Sequence, residues 1–180
     1  MRFLLACLAA LLLAGCYESN GMLLDASQSR QPITEYQDFT YGSDTKHHAN
    51  LNPRSDGWYD YEEATVKDDG SDGTWSHRSV LVNYLESTNG WDVYVFGYWD
   101  DTEKAYVYGV LVDQPGGRWQ TITPSCDPVM GDEKWVQSDA DAAKQAGADL
   151  KTSNFEDVCV FTSADALFNA MRNVVATPGF

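Results

Sequence analysis

Apolar and polar residues alternate along much of the chain after residue 57, which is the period-two pattern of strands with one buried face. Short polar or glycine-rich breaks separate the alternating stretches. One break is Asn89-Gly90, a pair that suits the positive φ angles of a type I′ hairpin turn. Because short turns join antiparallel neighbours, the pattern predicts an antiparallel meander. The predicted strands are Trp58 to Val66, Trp75 to Leu85, Trp91 to Trp99, Ala105 to Val112 and Arg118 to Thr123.

The third of these strands differs from the others because both of its faces are apolar. Val93 and Val95 fall on one face, and Tyr94 and Phe96 fall on the other. A strand of this kind is central in its sheet or covered by another layer.

The C-terminal third changes to helical spacing. Ser138 is a suitable N-cap for a short alanine-rich helix over Asp139 to Ala146. Val158 to Phe161 is typical of a short strand, and Ser163 then caps a longer helix over Ala164 to Val175 whose apolar positions share one stripe. The predicted fold class is α+β: an antiparallel β-meander of about five strands with one or two C-terminal helices packed on one face.

The first part of the chain shows no sustained period. From Tyr17 to Asp56 it is rich in polar residues and contains two prolines. We expect residues 16–56 to form a lipidated N-terminus and tether, with a root-mean-square span of roughly 35 Å if flexible, and residues 57–180 to form a single α+β domain. Apolar residues could let the second half of the tether dock on that domain: Ile33, Tyr36, Phe39 and Tyr41.

The chain begins with a basic residue and an apolar run. Arg2 precedes Phe3 to Leu13, which carries no charge and is shorter than the roughly 20 residues that a helix needs to span a bilayer. These are the dimensions of the hydrophobic region of a signal peptide. We therefore expect residues 1–15 to be a signal that is removed.

The apolar run ends in Leu13-Ala14-Gly15-Cys16, which resembles the lipobox of bacterial lipoproteins. The resemblance implies diacylglycerol on the Cys16 sulfur, cleavage before Cys16 and acylation of the new amine. Two alternatives stay open, an ordinary signal peptide with an incidental Cys16 and an uncleaved anchor. In this class, Asp after the cysteine is typical of retention in the inner membrane. Because Tyr17 stands there, the resemblance implies a lipid anchor in the outer membrane, facing the periplasm.

The charge of the chain is strongly acidic. It contains 12 Lys and Arg against 27 Asp and Glu, a formal net charge of −15. This balance disfavours nucleic acid and anionic lipid as partners, because both attract basic residues. It is compatible with a basic protein partner, and also with acidity that serves solubility alone.

The cysteines fit an oxidising compartment. Cys7 lies in the signal and Cys16 in the lipobox, so Cys126 and Cys159 remain as an even pair. We predict a Cys126–Cys159 disulfide, which is worth about 3.5–4 kcal/mol on the chain-entropy model. A metal or catalytic thiol pair is disfavoured because there is no C-x-x-C and no histidine close to either cysteine in sequence.

Motifs for metal binding and catalysis are weak. The acidic turn Asp68–Asp72 resembles part of an EF-hand loop, but Gly70 and Ser79 stand where the third and twelfth ligands belong. The adjacent His47 and His48 fall in the predicted tether. No G-x-S-x-G and no glycine-rich phosphate loop occurs. We therefore predict no metal site, no cofactor and no catalytic residue, although the sequence leaves a hydrolase with a carboxylate pair open.

The predicted sheet is unusually aromatic. Most of its Tyr and Trp side chains should pack in the core, but alternation directs some of them away from the helices. An exposed set ringed by carboxylates would suit a basic protein, since Tyr and Trp dominate binding hot spots. Stacking on sugars is the other use of such a surface. The candidate binding residues are Asp92, Tyr98, Trp99, Asp100, Asp101 and Glu103.

Together these features predict an outer-membrane-anchored periplasmic lipoprotein that acts as a non-enzymatic binding protein. It could be an inhibitor of, or an immunity protein against, a cationic protein that attacks the envelope, since acidic patches speed the capture of basic partners. The first alternative is an envelope structural or assembly lipoprotein that binds peptidoglycan or an outer-membrane barrel. The second alternative is the hydrolase.

Overall fold

Most of the described chain belongs to one β-sheet. The computed structural model describes residues 17–41, 45–88, 90–114, 118–124, 126, 140–153 and 156–176. Within them are ten strands, a 3₁₀ turn at Ala26–Gln28 and two helices, α1 (140–145) and α2 (Ala164–Val175). The strands are β1 (Tyr17–Ser19), β2 (Gln37–Tyr41), β3 (His47–Pro53), β4 (Trp58–Thr65), β5 (Ser76–Thr88), β6 (Trp91–Asp100), β7 (Ala105–Gln114), β8 (Arg118–Ile122), β9 (Asp149–Ser153) and β10 (Glu156–Val160).

The sheet contains the predicted meander and has further strands on both sides of it. β2 to β7 pair in sequence order, each antiparallel to the next. Beyond β7 the order is β1, β10 and β9, with β1 antiparallel to β7 and parallel to β10. β8 also pairs with β7, past the residues that bond to β1. The α+β class is confirmed, but the prediction of about five strands is too low.

The strands nearest the N-terminus contradict the predicted tether over residues 16–56. Tyr17 is fully buried in β1, between β7 and β10, and β2 and β3 form one edge of the sheet. Backbone hydrogen bonds between β3 and β4 attach this hairpin to the rest of the sheet, so its strands form with few buried apolar side chains. Ala49 is one side chain that is fully buried there. The described fold therefore begins at Tyr17 and not near residue 57.

Residues 20–36 form a strap that crosses from one face of the sheet to the other. Leu24 packs with the helices. The buried amide of Asn83 in β5 accepts from the Asp25 N–H at 2.9 Å and donates to the Asp25 carbonyl at 3.0 Å. On the opposite face, Ile33 packs beside Tyr59 and its N–H donates to the Tyr59 hydroxyl at 3.2 Å. These contacts hold the strap around β5.

The helices cover one face of the sheet, as predicted. Leu167 and Met171 of α2 and Ala143 of α1 are fully buried in the larger core cluster, which we call the helix-side core. In the described ranges, neither helix has the length and apolar content that a membrane crossing requires. The opposite face, which we call the open face, holds a smaller buried cluster: Tyr59, Val82, Tyr94 and Leu111.

A tyrosine organises the centre of the helix-side core. Tyr108 of β7 lies directly opposite Gly97 of β6, where a Cβ atom would come within 2.7 Å of the tyrosine ring. Glycine at that position therefore lets the ring lie flat across the neighbouring strand. The Tyr108 hydroxyl lies 2.7 Å from Ser19 Oγ and accepts from the Leu23 N–H at 2.9 Å. These bonds fasten β1 and the start of the strap to the middle of the sheet.

The predicted disulfide is present. Cys126 and Cys159 are both buried and bonded to each other, with their Cα atoms 5.8 Å apart. Cys159 lies in β10 directly beside Tyr17 of β1. The bond therefore joins the segment after β8 to the strand that holds β1.

Candidate recognition surface

The structure does not bring the six predicted binding residues together. Asp92 and Asp100 lie at opposite ends of β6, about 27 Å apart at the usual rise per residue. Neighbouring side chains of a strand point to opposite faces, so Tyr98 lies on the open face and Trp99 on the helix side. The six residues therefore do not share one surface: Asp92 lies far from the β6–β7 turn, and Tyr98 and Trp99 point to opposite faces.

The carboxylates of the β6–β7 turn serve the turn itself. Asp100 accepts from the Thr102 N–H at 2.8 Å and from the Glu103 N–H at 3.2 Å. Asp101 accepts from the Trp99 indole N–H at 3.1 Å, and the Lys104 ammonium lies 3.4 Å from the same oxygen. These bonds explain the Asp-rich composition of the turn without a ligand.

Glu18 forms an acidic cluster with this turn that the sequence analysis missed. Antiparallel pairing places Glu18 of β1 opposite Val107, which lies opposite Tyr98, so Glu18 belongs to the open face. Partial burial, followed by repulsion from Glu103 and Asp100, raises the pKa of Glu18 to about 7. The pairing of β1 with a strand far along the sequence creates this cluster, and no local motif announces it.

Three aromatic side chains form a row across the open face, which we call the aromatic strip. Tyr84 of β5 lies opposite Tyr94 of β6, and their rings meet edge to face with centroids 5.7 Å apart. The Trp119 ring of β8 lies 6.3 Å from the Tyr94 ring, over the intervening β7. Tyr84 is 42% exposed and Trp119 is 37% exposed, whereas Tyr94 is buried between them.

Two carboxylates border one end of the aromatic strip. Asp92 of β6 and Asp113 of β7 lie directly opposite each other, and Asp113 also lies opposite Trp119. Like charges placed opposite each other in a sheet are destabilising. Burial raises the pKa of Tyr94, and the negative charges of Asp92 and Asp113 raise it further.

A cation and a shallow groove border the other end. Arg30 of the strap is exposed, and its N–H donates to the Val82 carbonyl of β5 at 2.9 Å. Its guanidinium lies close enough to Tyr94 to oppose the rise in the pKa of that tyrosine. Arg30 and Tyr84 help to line an open groove of about 450 Å³ between the strap, β5 and α2, together with Asn83 and Phe168.

The remaining aromatics of the open face already have partners within the protein. The rings of Phe96 and Tyr98 stack with centroids 6.4 Å apart. The Arg78 guanidinium lies 5.0 Å from the centre of the Tyr98 ring. Tyr98, which was predicted to bind a partner, is therefore part of an internal stack.

The histidine that was assigned to a polar tether joins three separate segments. His48 of β3 lies 2.8 Å from Asp38 of β2 and 3.0 Å from Asp72 of the acidic turn, and its ring meets the edge of Trp75. Hydrogen bonds to Asp38 and then Asp72 raise the pKa of His48. Asp69 of the same turn accepts from the Ser71 N–H and hydroxyl. Among the described side chains, no group of three or more metal-ligating residues is arranged to hold an ion.

The aromatic strip is the surface with the most chemistry to offer a partner. It presents ring faces and edges, two carboxylates at one end and a guanidinium at the other. No protein-family model, curated protein or solved structure matches this chain. The function is therefore argued from the geometry of this surface.

Proposed function

We propose that this chain is a lipid-anchored envelope protein that binds a cationic protein and neutralises it without catalysis. The observation that carries the proposal is the aromatic strip, whose Tyr84 and Trp119 rings lie partly exposed on the sheet face opposite the helices, with Asp92 and Asp113 beside them. Exposed Tyr and Trp side chains supply contact area, and nearby carboxylates favour a basic partner. The net charge of −15 would steer such a partner towards the protein.

The place of action that we propose is the periplasmic side of the outer membrane, with diacylglycerol on Cys16. The lipobox supports the anchor and Tyr17 supports the choice of membrane. Because β1 begins at Tyr17, no flexible spacer separates Cys16 from the sheet. The binding surface would then lie within one domain diameter of the lipid headgroups, where an envelope-attacking protein must pass.

The proposal is tested by binding measurements on the mature protein held in detergent micelles. A cationic lysozyme is the probe, and an acidic protein of similar size is the control. We expect the lysozyme to be retained at about 50 mM salt and lost as the salt approaches about 500 mM, because screening shortens the range of the attraction. The acidic control should not bind at any salt concentration.

Other outcomes would count against the proposal. Binding that salt does not weaken, or failure of every cationic envelope-attacking protein in a panel, would contradict electrostatic capture. Selective retention of peptidoglycan or of an outer-membrane barrel would favour the structural role instead.

A further inference from the structure

The aromatic strip carries opposite charges at its two ends. We infer that it is a polarised receptor for an extended segment of a partner protein, with a Lys or Arg of that segment seated at the Asp92–Asp113 end and a carboxylate at the Arg30 end. The inference rests on the proposed function and adds the chemistry of the bound segment to it.

The acidic end has the composition of a site for a basic side chain. Asp92 and Asp113 lie opposite each other, and among the described side chains neither carboxylate takes part in an ion pair. A cation placed between them would relieve their mutual repulsion. The adjacent Trp119 offers a ring to the same cation, because indole is the best of the aromatic partners for Lys and Arg.

The basic end is equally open. Arg30 is exposed, and no ion pair joins it to a carboxylate within the described part of the chain. This contrasts with Arg54, which lies 3.2 Å from Asp60 and also pairs with Asp56. In a chain with 27 acidic residues, an unpaired arginine beside an open groove can bind a carboxylate of another molecule.

The spacing of the two ends sets the length of the segment. The strap runs beside β5 with Arg30 opposite Val82, in the same row as Phe96 and Gly109. Asp113 therefore lies three strand spacings (about 14 Å) across the sheet and four residues (about 13 Å) along it, a diagonal of roughly 20 Å. An extended peptide covers that distance in about six residues. The segment would therefore carry its basic and acidic residues about six positions apart, with the intervening residues over Tyr84 and Tyr94.

Charge distribution favours a protein segment over a neutral glycan. Aromatic rings alone would serve either ligand, since both stack on Tyr and Trp. A neutral sugar chain has no charged groups to match Arg30 at one end and Asp92 with Asp113 at the other. A glycan is therefore an outcome of the test that would overturn the inference.

The test uses the disulfide-bonded chain from Tyr17 to Phe180, which contains every strand and helix of the described fold. The probe is the acetylated and amidated peptide Lys-Ser-Gly-Ser-Gly-Ser-Glu, and a second peptide has Gln in place of Glu. Binding is followed by nuclear magnetic resonance through the indole N–H signal of Trp119, assigned with Trp119→Phe. We expect the first peptide to shift this signal and the amide signals of Tyr84 and Tyr94.

Charge-neutralising variants identify the two ends. Asp113→Asn should weaken the binding of both peptides about two- to fivefold, the usual range for an exposed ion pair. Arg30→Gln should weaken only the peptide that carries Glu, by a similar factor. Asp101→Asn, at an exposed carboxylate of the β6–β7 turn, is the matched control and should change neither affinity. Thermal unfolding of each variant checks that its fold is intact.

The inference is overturned if the peptides shift signals elsewhere on the protein, or if Arg30→Gln weakens both peptides equally. It is also overturned if neutral peptidoglycan glycan fragments, and not the peptides, bind the aromatic strip. If lysozyme binds in a salt-dependent way and neither Asp113→Asn nor Arg30→Gln changes its affinity, this inference is overturned and the proposed function stands. If the peptides bind at the aromatic strip but no cationic protein binds, the inference about the bound segment stands and the proposed capture of a cationic protein fails.

Discussion

The two faces of the sheet are closed in different ways. Two helices and the first half of the strap cover the helix side, where the buried cluster is continuous. Hydrogen bonds of the Tyr108 hydroxyl hold the strap in place there. The open face has a small cluster of four buried side chains, and its aromatic strip reaches the surface. Because burial of apolar area stabilises a fold by about 25 cal/mol per Å², the helix side should supply most of the stability. The open face is then free to carry side chains chosen for binding.

The largest effect should come from removing the cross-link of the helix side. Cys126→Ser combined with Cys159→Ser opens a loop of sequence separation 33. We expect the free energy of unfolding to fall by about 3.5–4 kcal/mol, because the unfolded chain regains conformational entropy. Denaturant unfolding of the oxidised protein and the double variant measures this difference. A loss below about 1 kcal/mol would mean that the disulfide adds little to the helix-side core.

A matched pair of truncations compares the faces directly. Leu167→Ala in α2 removes a fully buried side chain of the helix side and should cost about 3 kcal/mol of unfolding free energy. Tyr84→Ala removes a half-exposed ring of the open face and should cost less than about 1 kcal/mol. Chemical denaturation of both variants gives the comparison, and equal losses would contradict the division of labour between the faces.

A pH effect should mark the acidic cluster of the open face. The pKa of Glu18 is raised to about 7 from 4.5, so its contribution to stability is present below the unfolded value and is lost as the pH rises through the folded value. The melting temperature should therefore fall between about pH 5 and pH 8 more in the native protein than in Glu18→Gln. Calorimetric scans at several pH values measure this, with Glu35→Gln at an exposed strap position as the control. Parallel profiles for the native protein and Glu18→Gln would contradict the placement of Glu18 beside Asp100 and Glu103.

The smallest effect should be local to the edge of the sheet. Hydrogen bonds to Asp38 and Asp72 raise the pKa of His48, so the stabilising interaction is complete below the unfolded pKa and is lost as the pH rises through the folded pKa. Hydrogen-exchange protection of the β2 amides should therefore decrease above neutral pH, while the amides of β6 keep theirs. His48→Gln should remove the pH dependence of β2. If β2 in the variant keeps the native pH profile, His48 does not hold this edge.

Local patterns were sufficient for the elements that carry their own signals. The helix Ala164–Val175 has the predicted bounds, because Ser163 caps it and its apolar stripe is regular. Strand β6 runs from Trp91 to Asp100, one residue beyond its prediction. The strands that were missed depend on partners. β1 has three residues, and it is a strand only because β7 and β10 supply its hydrogen bonds.

The binding surface was harder to predict because it depends on register. Tyr84 and Trp119 were among the aromatics of the predicted strands, but sequence alone does not show which of them share a face. A bulge between Tyr84 and Glu86 shifts the register of β5 and β6, so Leu85 and Glu86 both lie on the helix side, where Leu85 joins the core and Glu86 meets Arg172 of α2. Asp113 belongs to this surface because it lies opposite Asp92 on the neighbouring strand, which the sequence alone does not show. Asp92 borders the aromatic strip and Asp100 lies at the other end of β6, and a binding role for either residue stays a prediction.

The position of β1 also determines how the fold responds to force. A pull on the chain before Tyr17 acts along β1, parallel to the strand axis. Extraction of β1 would have to break its ladder to β7 and its ladder to β10 at the same time, because both resist in shear. The Tyr108 hydroxyl, bonded to the backbone at Leu23 and paired with Ser19, adds a fastening just behind the strand. A domain pulled by its N-terminus is thus held at the middle of its sheet and not by a peripheral strand that could peel away one bond at a time.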